Sequence, residues 1–151
     1  MLYDLDLPPH LEERCILQPG PEVTNPLFVL HWMRNAIRLD ESPTFDTARH
    51  IANSLEIPLL VYHGIDERYP HASYRHHRFL LEGAADVAHR AEKIGVDHLI
   101  HVSRSGHRIP SLLHLAGQAA IVVTDLVDLQ PWKGWTDKVA EKCNVIQVDS
   151  H

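Results

Sequence analysis

Large polar and cationic side chains follow one short apolar run near residue 30. The run 27–30, Leu-Phe-Val-Leu, comes after the breaker pair Asn25-Pro26 and predicts a strand buried on both faces. An open α/β sheet binds its ligands at the carboxyl ends of its strands. The residues at that position are Trp32, Arg34, Asn35 and Arg38. The sequence therefore predicts an aromatic and cationic rim at a generic ligand position of such a sheet.

Phosphate-binding signatures are missing after this strand. The stretch Trp32-Met33-Arg34-Asn35 stands where a dinucleotide-binding protein has G-x-G-x-x-G, and the chain has no P-loop motif. Dehydrogenase and NTPase functions are therefore disfavoured. The Ser103–Gly106 loop offers backbone amides to an anion before a predicted helix, but short Ser/Gly loops mostly serve to turn the chain.

Histidines are numerous, with 13 in the chain. His63, His71, His76 and His77 could be imagined as a metal site, but their spacing matches no zinc-ligand pattern. Adjacent residues on a helix point about 100° apart, which separates His76 from His77. We therefore predict no metal site. His98 and His101 lie three apart on a strand, so we expect them on opposite faces as core or edge residues.

Catalytic residues cannot be assigned from the sequence. A Ser-His-Asp set can be drawn on paper in any His-rich chain, so such a match carries no information. Trp132 and Trp135 lie on one side of a predicted helix, where core packing is favoured over a chromophore contact.

Length and composition indicate one globular domain. The chain has 151 residues, of which 44% are hydrophobic and 23% charged. The chain has two cysteines far apart in sequence, no apolar run near 20 residues and no secretory leader. These features favour a soluble cytoplasmic protein without a membrane role. Fourteen Lys and Arg against 20 Asp and Glu make a poor nucleic-acid binder, since that affinity rests on neutralising phosphates. A local basic patch remains at Arg75–Arg78.

Strands and helices alternate along residues 27–151. Strands are predicted at 27–33, 59–62, 96–102, 119–124 and 145–148, and helices at 43–55, 73–94, 112–116 and 132–142. Ser42-Pro43 is a strong helix start and Gly95 a helix stop. This alternation predicts a Rossmann-like α/β fold with a five-stranded parallel sheet of order 3-2-1-4-5 and helices on both faces. Residues 1–26, rich in proline, read as an extended arm with a short turn near 11–16.

In order, these weak motifs resemble one family, the DNA photolyases and cryptochromes. The stretches 29–38 and 42–48 are similar to the opening strand and helix of that family. Residues 69–83 resemble its second helix, and Val122–Asp125 and Val148–His151 resemble its fourth strand and closing Val-Asp-x-His. The Trp32-Met33 pair and the long arm are most similar to the class II branch and its bacterial relatives.

The resemblance implies an amino-terminal α/β domain of HUP type. Such a domain docks on a helical domain that binds FAD and damaged DNA, and it often holds an antenna chromophore, which is a deazaflavin, a folate or a flavin. The helical FAD domain is absent here, so catalysis by this chain alone is not expected, and neither is direct DNA binding. By position, the candidate antenna contacts are Trp32, Met33, Arg34, Asn35, Arg38, Tyr62, His63, Thr124 and Asp125.

One departure from the family affects this interpretation. The usual Arg-Asp-x-Arg is here Arg34-Asn35-Ala36-Ile37-Arg38, which lacks the acidic member. Arg38 suits a chromophore contact or an inter-domain salt bridge equally, and Asp125 suits a ligand contact or a turn cap equally. Two other functions stay open: a stand-alone nucleotide-binding protein of the stress-protein type, and a structural module that forms a homodimer.

Overall fold

A computed structural model describes residues 2–71 and 73–151 of the chain. Met1 of the predicted arm and Ala72 of the stretch 69–83 lie outside the described residues. After a 3₁₀ turn at Leu2–Leu5, the helices are α1 Pro9–Glu12, α2 Pro43–Leu55, α3 Tyr74–Ile94, α4 Ser111–Ala116 and α5 Trp132–Ala140. The strands are β1 Cys15–Gln18, β2 Phe28–Met33, β3 Leu59–Asp66, β4 Asp97–Ser103, β5 Ala119–Asp125 and β6 Val145–Val148.

One mixed sheet of six strands, in the order β1-β6-β5-β2-β3-β4, organises the molecule. Its five strands from β2 to β6 pair in parallel, and their order is the predicted 3-2-1-4-5. The α/β class is thus confirmed, but the prediction of five strands, all parallel, is wrong. The sixth strand, β1, pairs antiparallel with β6, with Cys15 opposite Val148 and Gln18 opposite Val145.

The extra strand comes from the segment that was predicted as an extended arm. Four residues between a helical turn and a proline-rich stretch are enough to complete the sheet edge, since β6 offers them an open ladder. Gly20, just after β1, passes so close to the backbone that a Cβ there would meet the carbonyl oxygens of Ala140 and Cys143. A glycine is therefore required at this position.

The start of α2 and the end of α3 follow the predicted capping chemistry, whereas Ser73, predicted as the first residue of α3, is its N-cap. The Ser42 hydroxyl accepts a hydrogen bond from the Phe45 N–H at the start of α2, with Pro43 in the first turn. The Ser73 hydroxyl accepts one from the His76 N–H at the start of α3. Gly95 ends α3 in the left-handed conformation, with φ of 74°.

The sheet has a hydrophobic core on each face. On one face α2 and α3 cover side chains such as Val29, Met33 and Val61. On the other face α4 and α5 cover Leu30, Trp32, Tyr62 and their neighbours. Strand alternation sends Trp32 and Met33 to opposite faces. Among the described residues, no helix has the length and apolar character that a membrane crossing demands.

Candidate functional site

A cavity of about 630 Å³ lies beyond the carboxyl ends of β2, β3 and β4, between the start of α3 and the helices α4 and α5. We call it the rim cavity. It lies at the edge where parallel α/β sheets bind their ligands. The residues that line it are Trp32, Arg34, Tyr62–Asp66, Arg68, Tyr69, His76, His77, Leu80, His101, Ser103, Ile109–Leu113, Trp132 and Trp135. This volume falls within the range of cofactor and small-molecule sites.

Arg34 forms one wall of the rim cavity. Its guanidinium carbon lies 4.2 Å from the ring centre of Trp32, so the two planar groups stack. The Nη2 group donates to the Asp125 carbonyl oxygen at 2.9 Å and to the Thr136 hydroxyl at 2.8 Å, and Nη1 donates to the Trp132 carbonyl oxygen at 3.3 Å. Burial lowers the pKa of the guanidinium to about 10, while the negative charge of Asp125 opposes that shift. Arg34 therefore remains a cation at neutral pH.

Aromatic side chains form much of the remaining wall. Tyr62 is buried beside Trp32, and its hydroxyl shares a 2.7 Å hydrogen bond with the Ser111 hydroxyl at the start of α4. Burial raises the pKa of Tyr62, and the Ser111 contact partly offsets this rise. Trp132 and Trp135 from α5 meet edge to face, with ring centres 6.2 Å apart. The wall therefore offers several ring surfaces to a flat ligand.

The two tryptophans of α5 differ from the sequence prediction. Their spacing favours core packing, but both line the rim cavity, and 44% of the Trp135 surface is exposed. The inward positions of α5 are Thr136, Val139 and Ala140 instead. The spacing of three placed both tryptophans on one side of the helix, but it could not say whether that side met the core or the cavity.

Four buried nitrogen atoms in the cavity residues have no hydrogen-bond partner within residues 2–71 and 73–151. They are Arg34 Nε, His63 Nδ1, His77 Nε2 and His101 Nε2. Burial lowers the pKa of His63, and the neighbouring His98 lowers it further, so this imidazole is held neutral. Unpaired buried polar atoms are costly, and these four belong to residues of the cavity wall.

Asp125 serves the fold, and its carboxylate is saturated by the chain itself. Its Oδ2 accepts from the backbone N–H groups of Asn35 and Ala36, both at 3.1 Å, and its Oδ1 accepts from the Thr44 hydroxyl at 2.6 Å. The side chain is buried. The sequence left open a ligand contact or a cap on the following turn, and the observed contacts of this carboxylate are with the loop between β2 and α2, not with the turn after β5.

Several other predicted site residues lie away from the rim cavity. Met33 is fully buried on the α2–α3 face, in contact with the core around Phe45 and Val61. Thr124 is buried, and its hydroxyl donates to the Trp32 carbonyl oxygen at 2.8 Å. Asn35 and Arg38 are exposed on the loop after β2. From the predicted set, the structure brings Trp32, Arg34, Tyr62 and His63 together in the cavity wall.

The outer rim carries an ion-pair cluster that the sequence reasoning missed. Asp66 accepts from Arg68, with Oδ2 and Nη2 2.7 Å apart, and Glu67 accepts from Arg108 at 2.8 Å. Arg68 is the main cause that lowers the pKa of Asp66 to about 2. The Ser105 N–H, in the Ser103–Gly106 loop, donates to Glu67 at 2.8 Å. The only available signal was the run Asp66-Glu67-Arg68, which in sequence looks like an ordinary solvated turn.

The histidines hold no metal cluster in the described part of the chain, where no group of three or more His, Cys, Asp or Glu side chains has suitable geometry. His76 stacks on Tyr69 with ring centres 5.7 Å apart, and His76 and His77 are 6.0 Å apart. His98 pairs in register with Val61 and His101 with Gly64, so the two lie on opposite faces of the sheet as predicted.

Five parallel strands of a mixed α/β sheet, with a cavity beyond their carboxyl ends, define a Rossmann-like domain with a site of ligand size. Comparison with known proteins gives the family. The family model described as DNA photolyase matches residues 29–151. The chain belongs to the DNA photolyase family, as its sequence motifs predicted.

Two curated relatives are deoxyribodipyrimidine photo-lyases. The protein of Methanothermobacter thermautotrophicus is 34% identical over 127 residues, which cover 82% of this chain and 28% of that protein. The protein of Potorous tridactylus is 25% identical over 126 residues, which cover 81% of this chain and 24% of that protein. The matches thus span about a quarter of each relative.

Proposed function

We propose that this chain is the light-harvesting α/β module of a photolyase-like protein, with a flat heteroaromatic chromophore in the rim cavity. The observation that carries the proposal is the combination of stacked ring surfaces with four unpaired buried nitrogens around one cavity of about 630 Å³. A deazaflavin, a flavin or a folate has both a ring face and several carbonyl or ring-nitrogen acceptors. When bound, such a group would absorb light and pass the excitation energy on.

The residues present fit such a group. Trp132 and Trp135 would offer ring surface to the pigment, and such aromatic contacts add about 0.5–1.5 kcal/mol beyond the buried area. Arg34 Nε can only donate, so it would meet a carbonyl or a deprotonated ring atom. The imidazoles of His77 and His101 can donate or accept, according to tautomer. Arg34 is fixed by its bonds to Trp132 and Thr136, so its donor is already in position before a ligand arrives.

DNA repair itself would need a partner domain. This chain spans about a quarter of the photo-lyases that it matches. We propose that a helical, FAD-binding domain carries the chemistry and that the α/β module docks on it. Arg38 and Asn35, exposed at the same end of the sheet, would then face that domain rather than the chromophore.

A nucleotide-binding role is disfavoured by Asp125. In that alternative, the loop after β2 and the start of α2 would receive a phosphate group. The N–H groups of Asn35 and Ala36 and the Thr44 hydroxyl are already bound to a carboxylate there. A phosphate would have to displace this carboxylate or share the space with its negative charge.

Equilibrium binding of pigments to the purified chain tests the proposal. Riboflavin, an 8-hydroxy-5-deazaflavin and a methenyl-folate are titrated in turn, with ATP and AMP as competitors for the alternative function. We expect one pigment to bind at micromolar concentration with a shifted absorption band between about 350 and 500 nm, and neither nucleotide to bind. Micromolar binding of ATP or AMP, with no pigment bound, would establish the alternative instead.

A pair of variants links binding to the rim cavity. Trp135→Ala removes a partly exposed ring from the cavity wall, and we expect it to weaken pigment binding about tenfold, as the loss of one aromatic contact implies. Tyr74→Ala removes an aromatic ring that is 81% exposed and lies outside the cavity. Equal effects of the two substitutions would place the pigment elsewhere.

A further inference from the structure

One edge of the sheet is long and unguarded. β4 ends the strand order, so in the described part of the chain β3 lies on one side of it and no strand on the other. Natural edge strands are usually short, or they carry lysine, proline or a bulge that prevents pairing with another chain. β4 has seven residues, Asp-His-Leu-Ile-His-Val-Ser, without lysine or proline, and its register with β3 is regular throughout.

Apolar side chains are exposed along this edge on both faces. Leu99 is 41% exposed on the α4–α5 face, and Val102 is 39% exposed on the face that α3 covers. Leu81 of α3, also half exposed, lines a groove beside β4 with Val102, His101, Arg104 and His107. We call this the edge groove, and its volume is about 450 Å³. The edge thus combines open backbone groups with apolar surface, which favours a strand partner over water.

We propose that a second copy of this chain pairs with β4, antiparallel and edge to edge, and forms a twofold dimer with a continuous twelve-stranded sheet. A twofold axis perpendicular to the sheet keeps each face on its own side, so it pairs residues of equal parity. With the axis at Ile100, Leu99 lies opposite the second copy's His101, His98 opposite Val102, and Asp97 opposite Ser103. No two like charges face each other in this register, so the strand is complementary to itself.

The same axis brings the two copies of α3 together. α3 packs on β3 and β4 and runs beside the edge, so its copy would enter the edge groove from across the axis. Leu81 and Val102, now exposed, would then contact apolar side chains. The edge strand extends about 23 Å, at 3.3 Å per residue, and α3 about 31 Å, at 1.5 Å per residue.

The area of this contact sets the expected affinity. A patch about 25 Å long and two layers thick, each layer about 10 Å, buries about 500 Å² per copy. The total of about 1,000 Å² lies at the low end of specific interfaces, so we expect a reversible dimer with a Kd on the order of 10 µM. The opposite edge, β1, has only four residues and offers little room for the same pairing.

Sedimentation velocity of the full chain between about 2 and 200 µM tests this proposal. We expect a monomer at the low end and a dimer at the high end. Leu99→Lys places a charge at the centre of the contact, on a side chain that is already exposed, and should weaken the dimer at least tenfold. Val102→Lys should do the same from the other face. Ile16→Lys is the matched control, because Ile16 is 52% exposed on the edge strand β1.

Two results would overturn the proposed dimer. A wild-type chain that stays monomeric at every concentration overturns the proposal, and so does a dimer lost with Ile16→Lys but kept with both β4 variants. Hydrogen exchange provides a readout without substitution, since β4 amides should become more protected as the concentration rises. His101 lies at both sites, but Leu99 and Val102 do not line the rim cavity, so the β4 variants leave the residues proposed for pigment contact in place.

Discussion

Removing the Asp125 carboxylate should destabilise the fold more than removing the Thr44 hydroxyl that it binds. The carboxylate is buried and accepts three hydrogen bonds, two from the backbone of Asn35 and Ala36 and one from Thr44. Asp125→Ala leaves these three donors without an acceptor and leaves the Arg34 cation without its nearest opposite charge. Buried groups that lose a charged partner typically cost about 3–5 kcal/mol. Because the loop around Asn35 is partly solvated, we expect about 3–4 kcal/mol.

Two matched variants provide controls for the stability loss expected of Asp125→Ala. Thr44→Val keeps the shape of the side chain and removes one donor, so it should cost about 1–1.5 kcal/mol. Asp128→Ala removes an exposed carboxylate whose only partner in the described residues is Lys133, at 3.5 Å, so the stability should change by less than about 0.5 kcal/mol. The ratio between these variants tests whether Asp125 acts through the loop or through charge in general.

Urea denaturation followed by circular dichroism measures these differences. With a slope of about 2 kcal/mol per molar urea, Asp125→Ala should lower the midpoint by about 1.5–2 M. The double variant with Thr44→Val should cost less than the sum of the single changes, because the two residues share a bond. A midpoint shift below about 0.5 M for Asp125→Ala would refute the assigned role.

The remaining predictions concern pH and backbone packing. Burial is the main cause that lowers the pKa of His31 from 6.5 to about 4, so below pH 6.5 the unfolded chain binds a proton that the folded chain does not. Stability should therefore fall by up to about 1.4 kcal/mol per pH unit between pH 6.5 and 4, and His31→Leu should flatten that slope in denaturation curves taken at several pH values. Gly20→Ala should destabilise by about 3 kcal/mol or more through its clash with Ala140 and Cys143, whereas Gly117→Ala, which makes ordinary contacts, should stay within about 1 kcal/mol in the same assay. Equal shifts for the two glycine variants would contradict the close approach at Gly20.

Local chemistry made much of the fold predictable. Ser42-Pro43, Ser73 and Gly95 mark helix ends by hydrogen bonds and backbone conformations that involve only neighbouring residues. Continuous apolar runs identified the five parallel strands, because such a run is also visible among neighbouring residues. β1 could not be found in this way, because its ladder is supplied by β6, about 130 residues later in the chain.

The position of the rim cavity could be predicted from the sequence, but the full set of residues that line it could not. Trp32, Arg34, Tyr62 and His63 were found because strand ends converge at one edge of the sheet. Met33 follows Trp32 directly, but successive side chains of a strand point to opposite faces, so Trp32 reaches the cavity and Met33 the core. The histidines and Tyr69 near the start of α3 depend on where that helix overhangs the sheet, which no local pattern encodes.

The pairing of β1 with β6 has a consequence for the order of folding. Cys15 lies directly opposite Val148 in the β1–β6 ladder, and the Arg14 guanidinium donates to the carbonyl oxygens of Asp149 and His151. During synthesis β1 has no pairing partner until β6, which ends at Val148, has left the ribosome. The contact closes a loop of nearly the whole domain, so its entropic cost is met only after the parallel strands have assembled. We therefore expect β1 to join the sheet after the parallel strands have paired, and a kinetic probe on Cys15 would report this step.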